Sequence, residues 1–428
     1  MKFAFYTLGC KVNQYETQAM ERRILEMGHS LGSFDEVCDG YIVNTCTVTA
    51  VSDKKARNAI RRAQKLNPNA VVGVCGCYAQ VSPEEVRALG PQVLIGTKDR
   101  MAFLDMLVAS VQDRQVRENI QPALQNHEFE ILPAGGLVER TRAMLKVEDG
   151  CNNFCSYCII PYARGPVRSL PLENAVAEAR RLEELGYKEL VVTGIEISSW
   201  GLDFKDGSNL IHLLKALCEA VPKLRIRLGS LEPRTVTEEF CTVLKQYDNL
   251  CPQFHLSLQS GSDSVLKRMN RKYDTARYLQ SVRLLREHFP HCAITTDVIV
   301  AFPNETEEEF KETLQFMDTC QFSACHIFPY SRRSGTPADK MSHQHNHATK
   351  ESRAHEAGKV AERWEQEYLS SLLGTEQEVL WEQTEDGYFT GHAKNAVKVY
   401  IQGKNLENQC RICRIISLFR DGVLGEFS

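Results

Sequence analysis

The chain has 428 residues, too long for one ordinary domain, so two or three are expected. With 43% hydrophobic and 25% charged residues it has the profile of a globular protein with a real core, which excludes a disordered or fibrous chain. A formal charge of −4 neither requires nor excludes a nucleic acid, so any RNA contact must come from local patches. Sixteen cysteines would suggest disulfides in a secreted protein, but Met1-Lys-Phe-Ala-Phe-Tyr6 soon turns polar and no signal peptide is visible. No stretch approaches a membrane span in length. A cytoplasmic setting is expected, with thiols free or metal-bound rather than bridged.

Residues 1–115 alternate strands and helices. Strands are expected at Lys2–Thr7, Tyr41–Asn44, Ala70–Val74 and Gln92–Ile95, with helices at Tyr15–Met27, Asp53–Leu66 and Asp99–Val111. Ser82-Pro-Glu-Glu85 reads as the capped start of a further helix. Such an order implies a doubly wound, mostly parallel sheet. Cys10, Cys46 and Cys77 each follow directly on an expected strand, at the carboxyl ends where open α/β sheets bind ligands. A lone cysteine there is more often a small buried hydrophobe, but three of three point to a shared ligand. Cys75, two residues before Cys77, should face the core.

Residues 116–140 read as a linker, polar with Pro122, Pro133 and Gly135-Gly136. A second alternation follows over 141–373. Its six expected strands are Met144–Val147, Glu189–Thr193, Arg225–Leu231, Phe254–Leu258, Ile294–Val300 and Ala324–Phe328. Amphipathic helices between them include Leu172–Leu185, Asn209–Ala220 and Glu305–Cys320. Six such units fit a partial (β/α)6 barrel, whose chemistry sits at the carboxyl ends of its strands. After the first strand stands Gly150-Cys-Asn-Asn-Phe-Cys-Ser-Tyr-Cys158, a C-x-x-x-C-x-x-C spacing. Three thiolates this close can hold three corners of a cubic iron–sulfur cluster, leaving one iron open. Zinc is the alternative, but its sites pair C-x-x-C with a second pair or with histidines, and none lies nearby.

His343, His345, His347 and His355 occur in a polar stretch that reads as an exposed loop, followed by a helix over Thr349–Leu373. Residues 374–428 change to short alternating runs with Asp386-Gly387 and Asp421-Gly422 turns, the signature of a small antiparallel β-barrel. Cys410 and Cys413, three apart on a strand, should face opposite sides and not share a metal.

Together these motifs resemble one family. Cys151-Asn-Asn-Phe-Cys-Ser-Tyr-Cys158 is similar to the signature of the radical S-adenosylmethionine (SAM) enzymes. Thr7-Leu-Gly-Cys-Lys-Val-Asn13, Asn44-Thr-Cys-Thr-Val-Thr49 and Gly76-Cys-Tyr-Ala-Gln80 resemble the N-terminal domain of the methylthiotransferases, and the tail resembles their RNA-binding TRAM domain. The form around Cys10 is most similar to the subgroup acting on threonylcarbamoyladenosine beside the tRNA anticodon. Other subgroups modify isopentenyladenosine in tRNA or an aspartate of a ribosomal protein. The resemblance implies a [4Fe–4S] cluster on Cys151, Cys155 and Cys158 that binds and cleaves SAM to a 5′-deoxyadenosyl radical. It implies a second [4Fe–4S] cluster on Cys10, Cys46 and Cys77 that carries the sulfur, with a second SAM methylating it. It also implies an electron donor such as flavodoxin or ferredoxin and, as partner, the tRNA anticodon stem-loop. Thr193, Gly194, Glu232 and Gln259, at the ends of later strands, are candidates for SAM contacts. Two family glycines are replaced, by Ala301 and Asn304, and Trp200 stands where Tyr is common. The basic helix carrying Lys54, Lys55, Arg57, Arg61, Arg62 and Lys65 is a candidate phosphate surface or a solvated face. The reading from another class is a non-catalytic iron–sulfur carrier or RNA-binding scaffold, which would bind iron without cleaving SAM.

Overall fold

Strands buried on both faces read as continuous apolar runs, and Gly40–Thr45 and Val71–Gly76 are buried at every position. In the computed structural model, which describes residues 1–135 and 141–427, these two strands form the middle of a six-stranded parallel sheet. Its strands are β1 (Lys2–Thr7), β2 (Ser30–Gly32), β3 (Gly40–Thr45), β4 (Val71–Gly76), β5 (Val93–Ile95) and β6 (Arg117–Asn119). The spatial order is β2-β1-β3-β4-β5-β6, every pair parallel. Helices α1 (Lys11–Glu26) and α5 (Arg100–Asp113) cover one face, where Met20, Ile24, Phe103 and Leu107 pack on Ile42 and Cys75. Helix α2 (Ala50–Leu66) covers the other with Ala56, Ala59, Ile60 and Ala63. Cys75 thus faces the core, as its register requires.

Two short helices follow β4, namely α3 (Cys77–Val81) and α4 (Pro83–Arg87). Ser82 precedes α4 but its side chain makes no capping bond, and Glu85 accepts instead from the Tyr78 hydroxyl at 2.7 Å. The stretch read as linker contributes the edge strand β6, too short and polar to show in the sequence. Residues 136–140 of that stretch, Gly136 among them, lie outside the described residues.

The central region is a run of parallel strands: β7 (Arg142–Lys146), β10 (Glu189–Thr193), β11 (Arg225–Leu228) with its continuation β12 (Ser230–Leu231), β13 (Gln253–Leu256), β14 (Ala293–Val300) and β15 (Ala324–Pro329). A small antiparallel pair, β8 (Glu148–Asp149) with β9 (Arg168–Ser169), brackets the second cysteine loop. Amphipathic helices wrap the outside, giving the partial barrel expected.

A helix over His347–Ser371 then leads to a closed five-stranded barrel of β16 (Glu376–Glu385), β17 (Tyr388–Ala393), β18 (Lys398–Ile401), β19 (Gln409–Phe419) and β20 (Gly422–Glu426). It is not antiparallel throughout: β18 and β20 pair in parallel. An odd number of strands cannot close a ring by antiparallel pairs alone. On β19 Cys410 is exposed and Cys413 buried, the opposite facing expected. This small barrel packs beneath the amino ends of β7, β10 and β11. There Arg227 grips Glu189 at 2.7 Å and donates to the backbone carbonyl of Lys394 at 3.0 Å. Among the described residues no helix is long and apolar enough to cross a membrane.

Candidate active site

Cys10, Cys46 and Cys77 leave three neighbouring strands, β1, β3 and β4, at their carboxyl ends. Cys10 is the residue before α1, and Cys77 opens α3. Two glycines allow the approach. Gly9 has φ of 102°, and a Cβ on it would lie 2.8 Å from the Cys46 sulfur. Gly76 has φ of 98°, and its Cβ would meet the Thr45 carbonyl at 2.4 Å. Both positions need glycine for conformation and for space. Cys46 and Cys77 are buried while Cys10 is exposed, and the three sulfurs lie within electrostatic reach of one another. Burial pushes the Cys77 thiol up to about 11, against the pull of Arg164.

The second set occupies one loop between β8 and helix α6 (Ile160–Arg164). Gly150 opens it with φ of 88°, its Cα facing the Pro166 carbonyl so closely that a Cβ would stand 2.0 Å away. The loop is held by main-chain bonds from Cys151 to Gly165 at 3.0 Å and from Cys158 to Cys155 at 2.9 Å. Arg271 donates to the Cys155 sulfur at 3.2 Å and to the Tyr273 hydroxyl at 3.0 Å. Desolvation raises the thiols of Cys151 and, to about 12, of Cys158, so binding a metal centre as thiolates must release protons.

The two sets face each other across a seam. Thr97 of the first region donates to the Ala163 carbonyl of α6 at 2.7 Å. Arg333, after the sixth barrel strand, grips Asp53 at 2.7 Å and donates to Thr47, which is the residue next to Cys46. Cys158 is close enough to Cys77 for the two thiols to influence each other. Beneath the seam lies a buried ion cluster: Glu16 takes Arg164 at 2.5 Å, Arg100 at 2.7 Å and Lys146 at 3.1 Å. Burial raises the Glu16 carboxyl, but these three cations outweigh it and hold it at about 2.

Beside the second set a cleft of about 250 Å³ is lined by Asn152, Asn153, Glu196, Ser198, Glu232 and Arg234. Of the four residues proposed for SAM, Glu232 lines this cleft, while Thr193 ends β10 and Gly194 follows it. A Cβ on Gly194 would lie 2.8 Å from the Glu148 carboxylate. Gln259 belongs elsewhere, in a cavity of about 260 Å³ shared with Val48, Thr49, Tyr157, Asp297 and Phe328. Glu196 escaped sequence reading although it stands two residues beyond Gly194, where the strand-end rule points. Burial raises its carboxyl to about 7, Arg271 opposing and Glu232 adding to the rise. Arg164 and Arg271 gave no signal, since neither follows a strand. Ala301 and Asn304 both keep left-handed backbone, with φ of 56° and 62°, the conformation that glycine adopts freely. Trp200 is core, its indole donating to the Leu170 carbonyl at 2.9 Å.

Among the described residues no three Cys, His, Asp or Glu side chains converge tightly enough to hold a single metal ion. A cubane presents its irons at separate corners, so its thiolates stand further apart than the ligands of one tetrahedral zinc. An arginine on one sulfur of each set also suits an anionic cluster. Glu148, fully buried, accepts the Glu196 main-chain N–H at 2.7 Å and keeps its other oxygen without a hydrogen-bond partner. The thiols with their arginines fit iron–sulfur chemistry, and the Glu196 and Glu232 carboxyls lining the cleft fit the positive charges of SAM.

The pattern of the radical SAM superfamily matches residues 145–317, and that of the uncharacterized protein family UPF0004 matches residues 2–96. The threonylcarbamoyladenosine tRNA methylthiotransferase MtaB of Bacillus subtilis (strain 168) is 41% identical over 407 residues, covering 94% of this chain and 90% of its own. The chain belongs to the radical SAM methylthiotransferase family. A tRNA-2-methylthio-N(6)-dimethylallyladenosine synthase of Acetivibrio thermocellus (strain ATCC 27405) is 31% identical, covering 92% of this chain and 83% of its own. Among solved structures, the radical SAM methyltransferase TsrM of Kitasatospora setae shares the fold with a TM-score of 0.58 at 14% identity, covering 79% of this chain and 73% of its own. Membership in this methylthiotransferase family brings [4Fe–4S] chemistry and SAM with it.

Proposed function

We propose that this methylthiotransferase converts N6-threonylcarbamoyladenosine next to the tRNA anticodon to its 2-methylthio form, using two [4Fe–4S] clusters. The observation that carries the reading is the cavity of about 260 Å³ at the seam. Val48 and Thr49 of its wall follow Cys46, and Tyr157 lies between Cys155 and Cys158. Hydrogen abstraction and sulfur insertion occur at the same carbon, so a base held there has both cysteine sets beside it. When bound, the clusters and SAM supply the radical chemistry and the sulfur, which no side-chain acid or base can provide.

The protein's own residues bind and orient. Cys151, Cys155 and Cys158 would ligate the SAM-binding cluster, and Cys10, Cys46 and Cys77 the auxiliary one. Glu196 and Glu232 would offer carboxylates to the ammonium and sulfonium charges of SAM, with Thr193 and Gly194 supporting from the end of β10. Gln259 would orient the base from across the seam. A cleft of about 420 Å³ between Lys11, next to Cys10, and Gln383 of the C-terminal barrel is lined by both signs of charge, Arg142 and Arg227 being paired with Glu382 and Glu189. On α2, Lys54, Lys55, Arg61, Arg62 and Lys65 are exposed and offer a cationic surface for RNA phosphates.

A bare iron–sulfur carrier would need neither the acidic cleft nor a three-thiol loop with an open iron. The isopentenyladenosine substrate is the second reading, favoured by the apolar Val48, Ile299 and Phe328 in the seam cavity. The test is anaerobic incubation of the reconstituted enzyme with tRNA carrying each nucleoside and with the ribosomal protein, followed by mass spectrometry. A methylthio product on threonylcarbamoyladenosine is expected. A product only on isopentenyladenosine or on the protein would end this assignment.

A further inference from the structure

Arg164 ends the five-residue helix α6, whose other end abuts Cys158. Its side chain is completely buried, and all three of its nitrogens are engaged. Nε donates to the Cys77 sulfur at 3.3 Å, Nη2 to Asn13 at 2.6 Å, and Nη1 to Glu16 at 2.5 Å and to Asp149 at 3.4 Å. Asn13 in turn donates to the carbonyls of Leu8 at 2.7 Å and Thr45 at 3.0 Å, fixing the chain just before Cys10 and Cys46. One guanidinium from the second region therefore touches one cysteine of the first set and, through Asn13, holds the backbone leading to the other two.

The surroundings of that guanidinium are ionic throughout. Arg100, Lys146, Arg164 and Arg168 are buried cations joined to Glu16, Glu130 and Asp149, and the buried Glu148 carboxyl faces Lys146 as well. Of these four cations Arg164 is the one that donates to a cysteine sulfur. A guanidinium held there makes a stronger, charge-assisted hydrogen bond to a metal-bound thiolate than to a neutral thiol.

We propose that Arg164 is a positioning residue of the sulfur-carrying site: it holds the Cys77 thiolate by a charge-assisted hydrogen bond and raises the reduction potential of the cluster on that set. Hydrogen bonds to cluster sulfurs and nearby positive charge both favour the reduced, more negative state. The inference rests on the two-cluster reading above. Arg271 on Cys155 is its counterpart in the other set.

The test uses the full chain with Cys151→Ala, Cys155→Ala and Cys158→Ala together, reconstituted anaerobically so that only the first set can hold a cluster. Its potential is read by a redox titration followed by electron paramagnetic resonance. Adding Arg164→Gln should move the midpoint to more negative potential and speed loss of iron to a chelator. Arg164→Lys keeps the charge but cannot donate to Cys77, Asn13 and Glu16 at once, and it should shift the midpoint in the same direction by less. It carries the test alone if the glutamine variant does not fold. Arg100→Lys disturbs the same ion cluster through Glu16 and Glu130 without bonding to Cys77 or to Arg164 and should leave the midpoint in place. Iron bound with an unchanged midpoint in a folded Arg164 variant overturns the proposal, as does an equal shift in Arg100→Lys. No iron in the parent triple variant would instead sink the two-cluster reading itself.

Discussion

Cys10, Cys46 and Cys77 come from three strands of one sheet, each separated from the next by a helix, whereas Cys151, Cys155 and Cys158 share a single loop. The loop needs only its own main-chain bonds and one distant arginine to set its shape. The sheet set needs the whole first region, two glycines whose backbone no other residue would adopt freely, and an arginine from the barrel. Ligands gathered by tertiary structure are exposed to perturbation anywhere in their scaffold. Ligands gathered by a loop are exposed mainly to their own replacement.

The largest effects separate the two sets by function. Cys155→Ala should abolish SAM cleavage, read as loss of 5′-deoxyadenosine. Cys46→Ala should spare that cleavage and abolish sulfur insertion. Full methylthiolation by the Cys46 variant would remove the sheet set from the chemistry.

Next in size is the clamp at the seam. Arg333→Met leaves Asp53 buried beside Thr47 without its cation, and losing one partner of a buried pair typically costs about 3–5 kcal/mol. Denaturant unfolding should show a loss of that order, with sulfur insertion falling more than SAM cleavage. Equal loss of both activities would mean that the clamp serves the fold alone.

Gly76→Ala should cost more than Gly186→Ala. Both glycines have positive φ, worth about 1–2 kcal/mol to an alanine, but only at Gly76 does the new methyl strike backbone. Around Gly186 there is nothing within 4 Å. Equal thermal shifts would show that the turn before Cys77 can relax.

The smallest effect is a pH dependence. With the Glu196 carboxyl raised to about 7, lowering the pH from 8 to 6 protonates it and removes an anion facing the SAM cleft. SAM affinity should weaken by up to about tenfold over that range, since one pKa unit is worth a factor of ten. Glu196→Gln should flatten the profile, and an unchanged profile in that variant would place the titration elsewhere.

What the sequence made legible follows the same division. The C-x-x-x-C-x-x-C loop is local, so spacing alone reveals it. The sheet set was readable because each cysteine sits directly after an apolar strand, and parallel strands bring their carboxyl ends together. Strand order β1-β3-β4, which makes the three ends adjacent, has no local signal. Nor do Arg164 and Arg271, because a residue that reaches across a domain seam carries no pattern in its own neighbourhood. Of the candidates for SAM contacts, Glu232 lines the cleft beside the cysteine loop and Gln259 lines the seam cavity. Both follow barrel strands, and sequence cannot tell which side of the barrel mouth a strand end faces. The three-residue strands β2 and β6 and the parallel closure of the small barrel were hidden for a related reason: they are decided by pairing partners, not by composition.

The central claim is that the two sets hold separate clusters. Iron and sulfide content per chain, measured after anaerobic reconstitution, tests it directly when wild type is set beside the variant carrying Cys151→Ala, Cys155→Ala and Cys158→Ala. About eight irons falling to about four is the expected result, since each cubic cluster holds four. About four irons in the wild type falling to none would contradict it and leave the sheet cysteines a structural role.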